Sequence, residues 1–104
     1  MKKILFIVNP ISGNGRRTAI EHAIEKNIDR NLFECELRTT EYAGHAEEIA
    51  CEAAAQGVHI VVAVGGDGTI NEVARALVHT DAALGIIPCG SGNGLARHLR
   101  LPMD

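Results

Sequence analysis

The chain alternates between short apolar runs and longer segments in which apolar residues return every three or four positions. Ile4–Val8, Ile60–Val64 and Leu84–Ile87 are unbroken apolar runs, the pattern of strands buried on both faces of a parallel sheet. Cys35–Thr40 alternates instead, with Glu34, Glu36 and Arg38 on one side, which predicts a strand nearer an edge. Between the runs, Ile20, Ala23, Ile24 and Ile28 form one helical stripe. Ala46, Ile49, Ala50, Ala53 and Ala54 form a second, whose small residues suit close packing on a sheet. Gly57 stands where a helix C-terminal glycine would. Ile70, Val73, Ala74, Leu77 and Val78 give the inner face of a third helix, and a short fourth contains Leu95, Ala96 and Leu99. Strand and helix thus alternate four times with short connections, which predicts one α/β domain, residues 1–104, with right-handed crossovers.

Composition narrows the setting. The core must come from Ile, Leu, Val and Ala, because aromatics are 3% and Trp is absent. A formal net charge of -3 gives no bulk attraction for nucleic acid. No run is long enough to span a bilayer, and Met1-Lys2-Lys3 leads into a strand rather than a signal peptide. Cys35, Cys51 and Cys89 are odd in number and widely spaced, as expected of small buried side chains in a reducing cytosol. The five histidines show no metal-ligand spacing and read as surface or cap residues, so no metal ligand is assigned.

Candidate chemistry gathers in three glycine-rich turns, each following an apolar run. Gly65-Gly66-Asp67-Gly68-Thr69 opens the third helix, so backbone N–H groups can approach a bulky anion at its N-terminus. A bare carboxylate would repel phosphate. Asp67 therefore fits if a divalent cation sits between them or if it handles a proton, although Gly-Asp-Gly also makes an ordinary tight turn. Thr69 and Glu72 have capping-box spacing. Asn9-Pro10-Ile11-Ser12-Gly13 follows the first strand; its Asn9 side chain can hydrogen-bond a nucleotide, while Arg16 and Arg17 read as a solvated helix start. Pro88–Arg97 follows the fourth, with Ser91 and Asn93 set among glycines. At the carboxyl ends of parallel strands the three turns converge on one crevice. Gly13-Asn14-Gly15 lacks the third glycine of the dinucleotide fingerprint, and the P-loop pattern is absent.

Together the three motifs resemble the catalytic domain of the diacylglycerol kinase and sphingosine kinase family, including the bacterial lipid kinases. The resemblance covers nearly the whole chain, whereas the Gly-Gly-Asp-Gly-Thr turn alone is shared with NAD kinases and phosphofructokinases. It implies a three-layer α/β/α sandwich with a mainly parallel sheet, and a nucleotide site at Asn9, Thr40, Gly65, Gly66, Asp67, Gly68, Thr69, Asn71, Ser91 and Asn93. Asp67 is the catalytic candidate, with ATP and Mg²⁺ as cosubstrate and cofactor and a lipid hydroxyl as acceptor. A NAD kinase-like phosphotransferase, or a nucleotide-binding module without catalysis, is the alternative. The resemblance further implies a β-sandwich domain in the same polypeptide and a cytoplasmic enzyme that meets its lipid at the inner membrane surface. The chain is accordingly expected to be the nucleotide half of such a protein, inactive by itself. With only four helices to cover a sheet of buried strands, it is also expected to self-associate.

Overall fold

The computed structural model describes residues 2–10 and 16–88. Four strands, β1 (Lys2–Val8), β2 (Phe33–Thr39), β3 (Ile60–Gly65) and β4 (Ala83–Pro88), form one sheet in the order β2-β1-β3-β4, with every pair parallel. Three helices connect them: α1 (Arg16–Asn27), α2 (His45–Ala55) and α3 (Asp67–Leu77). The apolar runs explain the centre. Ile4–Val8 and Ile60–Val64 are buried at every position, and these two strands are neighbours.

Alternate residues of the central strands face two separate cores. Ile4, Phe6, Val8, Ile60, Val62 and Val64 pack with Ile20, Ile24 and Ile28 of the α1 segment. Leu5, Ile7, Val61 and Ala63 pack with Ala46, Ile49, Ala50 and Ala53 of α2 and with Val73, Ala76 and Leu77 of α3. The result is the expected α/β/α layering. Both cores draw on a pleat whose side chains alternate, so a one-residue slip of β1 would exchange its residues between them.

The crossover directions define a switch point in the sheet. From β1 the chain moves outward to β2, then back past β1 to β3, and on to β4. Right-handed connections place helices of opposite travel on opposite faces, as seen for α1 against α2 and α3. Connections therefore leave β1 and β3 in opposite directions. The crevice at such a switch point, beyond the carboxyl ends of the two strands, is where open α/β sheets bind ligands.

β2 is an edge strand, as its alternation predicts. Gly57 adopts φ 88, and the N–H groups of Gly57 and Val58 donate to Ala54 and Ala53 carbonyls, closing α2 with a Schellman motif. Leu84–Ile87 is not buried on both faces: among the described residues β4 is the other edge, and Ile86 is 37% exposed while Ile87 is buried in the α1-side core. Val78 is also exposed, because the chain leaves α3 at that residue with ψ 132, and Ala76 takes the inward position. Cys35 is half-buried and its thiol is pushed up mainly by desolvation, whereas Cys51 lies exposed on the outer side of α2. The predicted fourth helix and Cys89 lie outside the described residues. Among those that are described, no helix is long and apolar enough to cross a membrane.

Candidate functional site

Two ladder hydrogen bonds carry the backbone past the strand ends and fix the rim of the crevice. Asn9 N–H donates to Val64 C=O at 3.1 Å, and Thr40 N–H donates to Val8 C=O at 2.9 Å. Asn9 and Thr40 are thereby held level with the glycine turn that follows β3. A cleft of about 550 Å³ opens there, lined by Asn9, Thr40, Gly68 and Thr69 among the sequence-predicted residues. This volume lies within the range typical of small-molecule sites.

The two loops at the switch point are clasped together. Asn9 Nδ2 donates to Thr69 Oγ1 at 3.3 Å. The clasp requires a close approach beneath it, and Gly65 supplies it. A Cβ on Gly65 would lie 3.0 Å from both Cβ and Oγ1 of Thr69 and 3.4 Å from Cβ of Asn9. Gly66 and Gly68 differ. A Cβ on either would meet nothing within 4 Å, and neither has a positive φ. The fold itself therefore does not need glycine at these two positions. What glycine provides there is bare backbone facing outward.

Helix α3 begins at this turn, with Gly66 as its N-cap and Asp67 as its first residue. Ile70 N–H already reaches Gly66 C=O, whereas the preceding N–H groups have no intrahelical acceptor and point out of the helix end. The expected Thr69–Glu72 capping box does not form, because the helix starts three residues before Thr69 could cap it. Thr69 is instead buried against Asn9, and Glu72 Oε2 accepts a 3.2 Å hydrogen bond from Gly44 N–H. Asp67 is exposed, with no hydrogen bond or ion pair to its carboxylate among the described residues. Asn71 is exposed on α3 and does not line the cleft; Ser91 and Asn93 lie outside the described residues.

The opposite wall was not legible as a site. It is the turn from β2 into α2, where Glu41, Tyr42, Ala43 and Ala46 line the cleft and Glu72 closes it from α3. His45, read from sequence as a surface or cap histidine, is buried. Its Nδ1 accepts Glu41 N–H at 2.9 Å, and its ring stacks on Tyr42 with centroids 4.3 Å apart and planes 13° from parallel. The available signal was the only tyrosine of an aromatic-poor chain, three residues before a histidine.

Tyr42 OH donates to Glu48 Oε1 at 2.7 Å. That hydrogen bond, then desolvation, then the charges of Glu48 and Glu41 raise the phenol above its ordinary pKa of 10.0. The tie is thus intact below the ordinary tyrosine value and is lost as pH rises through the raised one. Glu48→Gln should bring the titration back down toward an ordinary tyrosine, read by tyrosinate absorbance, which in this chain reports Tyr42 alone. An unchanged titration would mean that the hydrogen bond does not persist in solution.

Comparisons with known proteins bear on this geometry. The chain is 37% identical over 108 residues to a diacylglycerol kinase of Bacillus subtilis, with 100% of this chain and 35% of that protein covered. It is 36% identical over 101 residues to a diacylglycerol kinase of Mycobacterium tuberculosis, covering 96% of this chain and 32% of the relative. A crystal structure of a diacylglycerol kinase from Bacillus anthracis superimposes with a TM-score of 0.64 at 29% identity, over 84% of this chain and 32% of that one. The chain therefore spans about a third of the length of these relatives. The profile of the diacylglycerol kinase catalytic domain matches residues 3–104, and the chain belongs to that family.

Proposed function

We propose that this domain binds the polyphosphate of ATP at the Gly65–Thr69 turn and presents the γ-phosphate to a lipid hydroxyl within the whole protein. The observation that carries the reading is the open space around Gly66 and Gly68. Two glycines that packing does not require stand at a helix N-terminus whose N–H groups face out, which is the arrangement a phosphate needs. Thr40 and Asn9 line the same cleft and offer hydroxyl and amide groups to the rest of the nucleotide.

Phosphoryl transfer needs a cradle, charge neutralisation and a base near the acceptor hydroxyl. Among the described residues no group of three or more His, Cys, Asp or Glu could hold a metal. Mg²⁺ commonly takes one or two carboxylates and completes its shell with substrate phosphates and water. Asp67 is the acid at the turn that would contribute. When bound, Mg²⁺ neutralises charge on the transferring phosphates. The protein's own part is to fix the phosphates on backbone N–H groups and to place a carboxylate beside them, for the metal or for a proton.

Gly68→Ala separates this reading from a purely structural one. Alanine at the second helical position has open space for its methyl and a better helix propensity, by up to about 1 kcal/mol. Thermal stability should therefore hold or rise, while ATP affinity by titration calorimetry falls by about tenfold or more as the methyl intrudes on the phosphate. Unchanged affinity would remove the turn from the nucleotide site.

A further inference from the structure

We infer that the outer edge of β2 is a self-association surface. A second copy of this chain pairs with it antiparallel, about a two-fold axis at Leu37, so that one sheet runs through both copies.

The ladder to β1 decides which backbone groups face outward. Lys2 N–H donates to Leu32 C=O at one end, and Thr40 N–H donates to Val8 C=O at the other. With Lys2 opposite Phe33 and Val8 opposite Thr39, the bonds to β1 fall on Leu32, Glu34, Glu36, Arg38 and Thr40. Phe33 N–H is taken by Asp29 C=O. The N–H and C=O groups of Cys35 and Leu37 therefore point away from the sheet, where no strand stands among the described residues. Space is open beside them: a hollow of about 400 Å³ lies between this edge and α1, bordered by Glu21, Ile24, Glu25 and Arg30.

Side chains select the register. Phe33, Cys35 and Leu37 turn toward the α1-side core, so Glu34, Glu36 and Arg38 project on the α2 side. There Arg38 meets Glu52 of α2 at 3.7 Å in an exposed pair. Charges on an edge strand ordinarily keep copies apart, but these signs are self-complementary in one register. An axis at Cys35 would set Glu34 against Glu36 of the other copy, and an axis at Glu36 would set that residue against itself. An axis at Leu37 sets each Glu36 against the other copy's Arg38, puts Glu34 beside Thr40 and brings like charges together nowhere along the strand. It also apposes the two Leu37 side chains, and lets each Leu37 N–H reach the other's C=O. Leu32 and Tyr42, both exposed, lie equally far from Leu37 on either side, so each end brings Leu32 of one copy toward Tyr42 of the other. The remaining charges at this edge, Glu21, Glu25 and Arg30, are of mixed sign and stand across the sheet on the α1 side. A seam of one strand with its flanks is small, which places the dimer in the micromolar range rather than among permanent assemblies.

Sedimentation velocity across the micromolar range tests this on the wild-type chain, Glu36→Arg, Arg38→Glu and the double variant Glu36→Arg/Arg38→Glu, with circular dichroism to verify folding. Either single reversal puts like charges together at both contacts and should weaken dimerisation by about tenfold or more. The double variant restores opposite charges and should dimerise like wild type. An equimolar mixture of the two single variants should form a heterodimer, because each then meets its opposite. The contacts are exposed, so added salt should weaken the wild-type dimer as well. Hydrogen exchange on the wild type needs no variant to fold: the Leu37 amide should exchange more slowly as protein concentration rises. A wild-type chain that stays monomeric would overturn the surface. So would a dimer that neither reversal weakens, single variants that stay apart when mixed, or a Leu37 amide whose exchange is the same in monomer and dimer.

Discussion

Asp67→Asn in the full enzyme is expected to lower lipid phosphorylation by about a hundredfold or more while changing ATP affinity little. The side chain is the first residue of α3, exposed, and without a hydrogen bond or ion pair among the described residues, so the fold does not depend on its charge. Asparagine is nearly isosteric and keeps the helix start. What it removes is a negative charge beside the outward N–H groups, where the proposed function places a metal or a proton. Turnover and nucleotide affinity should therefore separate, turnover collapsing and affinity holding. Near wild-type turnover in a folded variant would reduce Asp67 to a helix-dipole partner.

Gly65→Val should produce the largest loss of stability, about 3 kcal/mol by denaturant unfolding. Gly65 is buried at the end of β3, and its missing Cβ would stand 3.0 Å from Thr69 Cβ, the root of a side chain that cannot swing away. Valine adds further bulk at the same point and must push Asn9 and Thr69 apart, breaking their hydrogen bond. Loss of nucleotide affinity should accompany the loss of stability, in contrast to Gly68→Ala, where the two part company. Unaltered stability in Gly65→Val would mean that the loops yield without cost.

Periodicity made the fold largely legible, because each central strand is apolar at successive positions and each helix carries a stripe matched to one face. The uncertain parts were those decided by neighbours. Leu84–Ile87 has the composition of a central strand, yet pairing order puts it at an edge among the described residues, and nothing local in its sequence encodes that order. The Thr69–Glu72 spacing fits a cap, but the helix starts at the glycines, and both side chains instead hold the walls of the cleft together. The glycine turn stood out in the sequence because three glycines exceed what a turn needs. The difference among them, Gly65 packed against Thr69 and Gly66 with Gly68 in open space, required coordinates. Tyr42 and His45 escaped notice because stacking depends on rotamers, which a sequence does not show.

The position of β1 between β2 and β3 has a consequence for how the chain reaches this state. Among the described strands, the earliest in the sequence lies inside the sheet, and its partners come later: Lys2 pairs with Phe33, and Ile4 with Ile60. Each parallel rung must wait for an intervening helix to emerge, so the closure entropy of long loops precedes any reward from pairing. On the ribosome, Ile4–Val8 is therefore an exposed apolar segment until β3 has been made, and the nascent chain depends on chaperones or on speed to keep that segment from pairing with others.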